Sequence, residues 1–255
     1  RHSFPTRRSS DLQSLLAYAM VHAPKFKTPR HIRTLAEKLQ DAEARTARGE
    51  TVRLQVMMPP QNGKSTITSE FFVAWLLGRH PDWPIAYGTY NADFAAKRGR
   101  TIRNLLSSPL HKAIFPKCNL ASDSQAADEF KTTQEGGLKT VGRGGGLTGY
   151  PVRVIVIDDP FKDAKEADSP TVREARWKWY TQTAYTRLAA GGGILIMATR
   201  WHHDDISGRA LRQLEKGEEN WQVVSFPGIA EEDEPYRKAG EPLFPERGFD
   251  LRELE

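Results

Sequence analysis

Val52–Thr66 reads VRLQVMMPPQNGKST. Val52, Leu54, Val56, Met57 and Met58 form an apolar, β-prone run that enters a tight loop ending in Gly63-Lys64-Ser65. A helical pattern follows, carried by Ile67, Phe71, Phe72, Ala74, Trp75 and Leu76. Strand, phosphate loop and helix in that order form the context of a Walker A motif. Backbone N–H groups of such a loop, and of the helix N-terminus behind it, face phosphate oxygens. Gln61, Asn62, Gly63, Lys64, Ser65 and Thr66 are therefore the candidate nucleotide contacts. Lys64 has the reach for the β- and γ-phosphates, and the Ser65 hydroxyl is a ligand for Mg²⁺. The match to G-x-x-x-x-G-K-[ST] is incomplete, because Met58 stands at the first glycine position. A chance Gly-Lys-Ser turn is the competing reading.

A second stretch strengthens the first. Val152–Pro160 reads VRVIVIDDP. Val154 to Ile157 have the composition of a strand buried on both faces, as in a parallel sheet. The run ends in Asp158 and Asp159, and ligands of open α/β sheets bind at the carboxyl ends of strands. Asp158 is the candidate Mg²⁺ acid and Asp159 the candidate acid that polarises water. An ordinary Asp-Asp-Pro turn is the bland alternative. Both motifs in this order make an ATPase with ATP and Mg²⁺ the leading reading.

The remaining composition sets bounds. The chain has 255 residues, enough for one large α/β domain or two small ones, with a net charge of +5 and a pI near 9.3. The basic excess suits a polyanionic partner, but the charges are interspersed, as on an ordinary mixed surface. Cys118 is the single cysteine, so there is neither a disulfide framework nor a cysteine-rich metal site. No apolar run reaches the ~18 residues of a membrane span, and no secretory pattern is present, which reads as cytoplasmic.

Four segments organise the chain. Residues 1–12, RHSFPTRRSSDL, read as a translated adaptor or assembly scar, with a disordered basic arm as the other reading. Residues 13–50 form an N-terminal helical segment: an apolar helix over Leu15 to Val21, then a second over His31 to Arg48 with Ile32, Leu35, Ala36 and Leu39 on one face. Residues 51–230 are the core. After the Walker A helix they predict a strand over Ile85 to Tyr90, and a basic helix capped by Asn91 that carries Lys97, Arg98, Arg100 and Arg103. Hairpin pieces follow at Glu129 to Thr133 and Leu138 to Val141, then the glycine-rich loop Gly142 to Gly149. Past Asp159 come a polar helix over Pro170 to Leu188, a strand over Ile194 to Ala198 introduced by Gly191 to Gly193, a helix over Asp204 to Lys216 and a strand over Trp221 to Phe226. Residues 231–255 read as a linker.

Alternating strands and helices predict a mostly parallel sheet flanked by helices on both faces. A whole strand and helix separate the two motifs. A later strand ends in Thr199, a polar residue placed to sense the γ-phosphate. Both features suit the RecA-like, additional-strand class of P-loop ATPase.

From Phe26 to Glu255 the chain resembles the packaging ATPase domain of the large terminase subunit of tailed bacteriophages. The resemblance rests on the ordered series MMPPQNGKST, GRGGGLTGYPVRVIVIDDP, EADSPTVREARWKWYTQTAYTRL, ATRWHHDDISGRAL and LFPERG. It implies a viral motor that uses ATP to drive double-stranded DNA into a procapsid. It also implies a homo-oligomeric ring on the portal protein, a small terminase subunit as partner, and the host cytoplasm as its location. Lys64 and Ser65 match the family's Walker A lysine and Mg²⁺ ligand, and Asp158 its Walker B acid. Asp159 stands at the position of the water-activating acid, usually Glu. Thr199 and Arg200 match the coupling motif. A segment equivalent to Pro29 to His31 approaches adenine in related motors, which makes His31 a candidate contact. Relatives often carry a basic residue where Gln61-Asn62 and Tyr150-Pro151 stand here, so the arginine that stabilises transition-state charge is open. Arg143 is the first candidate and Arg187 the second. The family's C-terminal nuclease has no room after Glu232, and the expectation is that the chain is a piece of a longer protein.

Other features carry paired readings. Gly142 to Gly149 serve phosphate or DNA approach, or a flexible hairpin turn. His202, His203, Asp204 and Asp205 invite a metal, but adjacent histidines do not share a helix face, and Asp204 as an N-cap is the simpler reading. Trp177, Trp179, Tyr180 and Tyr185 read as packing ahead of a nucleic-acid platform. The cations of the Asn91 helix suit DNA phosphates or a solvated face equally. The rival functions are a superfamily 2-like helicase or repair ATPase, which needs a second RecA-like domain, and a non-catalytic nucleotide-binding scaffold.

Overall fold

The computed structural model describes residues 11–142, 144–234 and 237–245. The N-terminal part gives α1 (Leu15–His22) and α2 (Arg30–Ala47), with Ile32, Leu35, Ala36 and Leu39 of α2 buried as the sequence pattern requires. Strand β1 (Val52–Met57) leads through the loop into a π-helical turn, Thr66–Phe71, and then α3 (Phe72–Arg79). After β2 (Pro84–Gly88) come α4 (Ala92–Ser107) and α5 (Pro109–Ile114). Asn91 caps α4, its side chain accepting from the Phe94 N–H at 2.9 Å. Pro109 opens α5, where its missing N–H is harmless.

Three short strands follow: β3 (Leu120–Gln125), β4 (Glu129–Thr132) and β5 (Gly137–Val141). Then come β6 (Val152–Asp158), α6 (Ala164–Asp168), α7 (Pro170–Lys178), β7 (Leu188–Ala198), α8 (Ile206–Glu215) and β8 (Gln222–Ser225).

The eight strands form one sheet in the order β3-β4-β5-β2-β6-β7-β1-β8. From β5 to β8 every neighbouring pair is parallel, and β4 and β3 add an antiparallel edge. Strand β7 lies between the two motif strands β1 and β6, which is the RecA-like, additional-strand arrangement expected from the sequence. Alternate residues face opposite layers. Leu54, Val56, Val154, Val156, Leu195 and Met197 join the core under α1 to α4. Ile155, Ile157, Ile194, Ile196 and Ala198 join a second core with Tyr180, Ala184 and Ala210.

Local boundaries differ from the sequence reading at four places. β3 was not expected, since Leu120–Gln125 is polar and half exposed, and its pairing with β4 rather than its composition makes it a strand. The helix expected over Pro170 to Leu188 is α-helical only to Lys178, then passes through a π turn, Trp179–Ala184, and a 3₁₀ turn, Tyr185–Arg187. Gly191 to Gly193 lie inside β7 instead of preceding it. A Cβ at Gly191 would stand 2.3 Å from the Gly49 carbonyl oxygen, so the strand passes that turn only without a side chain. The cap of α8 is Asp205, whose carboxylate accepts from the Gly208 N–H at 2.8 Å. Asp204, the residue expected there, instead takes Arg173, Arg209 and Arg212, which hold its carboxyl well below the usual range.

The described residues after Ala230 fold back onto the core: the Leu243 N–H donates to the Gly228 carbonyl at 2.8 Å, and Phe244 is buried. Among the described residues no helix is long and apolar enough to cross a membrane.

Candidate active site

Parallel pairing fixes where the site sits. Met57 is level with Ala198, and Asp158 with Met197, so β1, β6 and β7 end together. The loop after β1, Asp159 after β6 and Thr199 after β7 therefore emerge on one edge of the sheet. Cross-links tie them there. The Met58 N–H donates to the Ala198 carbonyl at 3.2 Å and the Asp159 N–H to the Met197 carbonyl at 2.8 Å. The Thr199 N–H donates to Asp159 Oδ1 at 3.0 Å.

The loop backbone is bent at two residues of positive φ, Gln61 at 62° and Gly63 at 86°. Asn62 is buried, with Nδ2 donating to the Pro60 carbonyl at 2.9 Å. His31 is buried behind the loop, its Nε2 3.0 Å from the Asn62 carbonyl and its ring against Phe226 and Phe244. It braces the loop from inside. Thr66 opens the π turn that follows Ser65.

Lys64 is 4% exposed and its ammonium is paired with the Asp159 carboxylate. Thr199 Oγ1 lies 3.5 Å from the same Nζ. Asp159 has φ 41°, a left-handed backbone that Asp tolerates better than most side chains. A residue held there by the surrounding structure is a pointer to function.

Asp158 is 1% exposed. Its Oδ1 accepts from Ser65 Oγ at 3.3 Å, and its Oδ2 from Ser69 Oγ at 2.6 Å and the Tyr87 hydroxyl at 3.2 Å. Burial, and then the charge of Asp159, push the Asp158 carboxyl above the usual range, with Lys64 opposing. Among the described residues its hydrogen-bond donors are all hydroxyls. A buried carboxylate with hydroxyl neighbours fits a hard divalent cation such as Mg²⁺, whose ligands are oxygens.

Ser69 and Tyr87 were not singled out in the sequence. Ser69 had one available signal, its place four residues after Ser65 on the same helix face. Tyr87 had none.

Other expected residues lie elsewhere. Arg200 extends to α8, with Nε 3.3 Å from Asp205 Oδ2 and Nη1 3.4 Å from Met57 Sδ, and does not join the Lys64 cluster. Arg143 lies outside the described residues. Arg187 precedes β7, at the opposite end of that strand from Thr199.

The glycine-rich loop is anchored: Leu147 is fully buried, and Gly145 accepts from Trp179 Nε1 at 2.9 Å. A Cβ at Gly142 would stand 2.2 Å from the Ala92 nitrogen, so that glycine serves close packing. Tyr180 is buried, which accords with packing, while Tyr185 stays exposed under the Arg53 guanidinium. Of the α4 cations, Arg98 is paired with Glu70 and Arg103 donates to the Gln125 carbonyl.

The model of the family described as terminase large subunit, T4likevirus-type, N-terminal, matches residues 56–251. Among solved structures, the large terminase of HK97 bacteriophage aligns with a TM-score of 0.54 at 11% identity, a likeness of fold. That alignment covers 89% of this chain and 45% of the HK97 chain, so the chain spans less than half of that protein's length. No curated protein sequence matches the chain. With most of its length, from β1 onward, matched by the family model, the chain belongs to the large terminase subunit family, in the part described as T4likevirus-type, N-terminal.

Proposed function

We propose that the chain is the Mg²⁺-dependent, ATP-hydrolysing motor domain of a phage terminase that drives double-stranded DNA into a procapsid. In this reading it acts as a ring on the portal protein, with a small terminase subunit as partner, in the host cytoplasm. The observation that supports it is the convergence of Lys64, Asp158, Asp159 and Thr199 on one edge of three adjacent parallel strands, at the foot of the Gly63-Lys64-Ser65 loop.

The proposed roles are these. The loop backbone from Gln61 to Thr66 receives phosphate oxygens. Lys64 leaves Asp159 for the β- and γ-phosphates, because a triphosphate offers more negative charge than one carboxylate. Asp159, released from the ammonium, is free to orient and deprotonate the attacking water. Ser65 and Asp158 are the residues that would hold Mg²⁺, which would supply positive charge to offset that of the phosphates. Thr199 touches both Lys64 and Asp159, so it reports the exchange to β7 and, through Arg200 and Asp205, to α8.

The test is Lys64→Ala. Nucleotide binding and turnover should fall below detection while the melting transition stays cooperative. Unchanged ATPase in a folded Lys64→Ala protein would overturn the assignment.

A further inference from the structure

The Ser69 hydroxyl that meets Asp158 is carried by a turn of unusual geometry. Across Thr66–Phe71 the helix after the loop runs in the π pattern, and the Phe72 N–H donates to the Ile67 carbonyl, five residues back. Such turns are rare and recur at functional sites. Ser65 lies just before the turn and Ser69 inside it. The two hydroxyls reach opposite oxygens of Asp158, Oδ1 at 3.3 Å and Oδ2 at 2.6 Å. Relaxation of the turn toward the ordinary i→i−4 pattern would rotate Ser69 out of that contact.

The residue next to Ser69 supplies a hold on the turn. Glu70 is ion-paired with Arg98 of α4, and both side chains are partly buried. Solvent and salt screen such a pair less than an exposed one. The Arg98 guanidinium also lies 4.8 Å from the centroid of the Phe94 ring, one helical turn back. Its Nε is buried with no hydrogen-bond partner, so the side chain is committed to Glu70 through its terminal nitrogens. Burial lowers the proton affinity of the guanidinium, and the charges of Asp158 and Asp159 oppose that, so Arg98 stands within electrostatic reach of both acids. α4 is a firm anchor at this point. Asn91 caps it, and the adjoining Gly99 lies against the Ala127 carbonyl with no room for a Cβ. Neither Glu70 nor Arg98 has a part in the proposed phosphate or water contacts.

We propose that Glu70 and Arg98 are positioning residues, whose ion pair holds the turn after the phosphate loop so that Ser69 stays on Asp158 and orients it for Mg²⁺. The proposal rests on the reading of Ser65 and Asp158 as the Mg²⁺ site and adds two residues to its outer support. Neither side chain needs to touch metal or nucleotide. α4 fixes Arg98, Arg98 fixes Glu70, and Glu70 fixes its chain neighbour Ser69, which sets one carboxylate oxygen. Partners behind a ligating side chain are worth about 10–100-fold in metal affinity. An exposed ion pair of the same residue types, in contrast, contributes little. The distinguishing consequence is that loss of the pair changes the Mg²⁺ requirement, and does so only while Ser69 is present.

The test is a Mg²⁺ titration of the binding of a fluorescent ATP analogue, with a cooperative melting transition as the check on folding. The proteins are the parent chain, Ser69→Ala, Glu70→Gln, the Glu70→Gln/Arg98→Gln and Ser69→Ala/Glu70→Gln double variants, and Asp158→Asn. Glu70→Gln should raise the Mg²⁺ concentration for half-maximal binding by about 3- to 10-fold. Glu70→Gln/Arg98→Gln leaves no buried charge without its partner. It should show the same rise even where Glu70→Gln alone folds poorly. Ser69→Ala/Glu70→Gln should need no more Mg²⁺ than Ser69→Ala, because the contact that the ion pair protects is already gone. An unchanged Mg²⁺ requirement in the folded Glu70→Gln/Arg98→Gln protein, or a rise that simply adds to that of Ser69→Ala, would overturn the proposal. Asp158→Asn separates the two readings: if it leaves the Mg²⁺ requirement at the parent's value, the Mg²⁺-site reading fails instead.

Discussion

Ser69 Oγ donates to Asp158 Oδ2 at 2.6 Å, and the Tyr87 hydroxyl reaches the same oxygen at 3.2 Å. One donor comes from the turn after the loop and the other from β2. Together they fix one carboxylate oxygen and leave the other, Oδ1, to Ser65. The carboxylate thus presents a defined oxygen, which in the proposed Mg²⁺ site would be a pre-oriented ligand. Ser69→Ala should raise the Mg²⁺ concentration needed for half-maximal nucleotide binding by about 10-fold, and Tyr87→Phe should do so by less. A Mg²⁺ titration of fluorescent-nucleotide binding reads this directly. An unchanged Mg²⁺ requirement in both variants would show that Asp158 needs no orienting partner.

The burial of Asp158 has a consequence for stability without ligands. Its carboxyl is raised above the usual range, by burial first and by Asp159 second. A group raised in this way binds its proton more tightly in the folded state than in the unfolded chain. Its contribution is most favourable below the ordinary carboxylate value of about 3.9. It is lost as pH rises from there through the folded value. Asp158→Asn removes this cost. The variant should melt at a higher temperature than the parent at neutral pH without Mg²⁺, while its Mg²⁺-dependent nucleotide binding weakens. A lower melting temperature for Asp158→Asn would contradict the sign of this argument.

Asp159 should behave differently. It contacts Lys64 and the Thr199 N–H rather than the hydroxyl cage of Asp158. Asp159→Asn should retain nucleotide affinity within a few-fold and lose about 10²–10⁴ in turnover, the usual worth of a general base. Binding and turnover measured on the same preparation decide this, and parallel losses at both acids would merge their roles.

A structural prediction concerns Gly99, in the middle of α4. Glycine there costs helix propensity, yet a Cβ would stand 2.1 Å from the Ala127 carbonyl oxygen. The close approach holds α4 against the connection between β3 and β4. Gly99→Ala should therefore destabilise the fold by about 1–3 kcal/mol, as overpacking does, instead of gaining the ~1 kcal/mol of an exposed helix site. Urea denaturation measures the difference.

Assembly provides the last prediction. Arg187 sits at the far end of β7 from the site, which leaves Arg143 as the first candidate for an arginine finger. If Arg143 completes a neighbour's site, Arg143→Ala and Lys64→Ala chains should each be inactive alone and recover turnover when mixed. An arginine finger is worth about 10³–10⁵ in rate, so recovery would be large. Activity of the mixture no greater than the sum of its parts would remove Arg143.

The sequence by itself determined the parts whose signals are local. Val154 to Ile157 is apolar at every position because β6 is covered on both faces, and Gly63-Lys64-Ser65 is marked by the strand before it and the helix after it. Asn91 announced its cap through a short acceptor side chain at the start of an amphipathic run. Local signals failed where neighbours decide. Leu120–Gln125 is a strand because β4 supplies its partner. Asp204 and Asp205 have the same chemistry, and only the position of Arg173 on α7 and the start of α8 told them apart.

Tertiary structure alone decided the site's inner shell. Tyr87 reaches Asp158 because β2 lies beside β6 in the sheet, an adjacency that no spacing between residues 87 and 158 encodes. Phe26 and Phe244 line one cavity because the segment after Ala230 folds back over α2. Side-chain type and periodicity are properties of the chain. Which side chains meet across a sheet edge depends on strand order and on the parallel register that brings β1, β6 and β7 to an end at the same level.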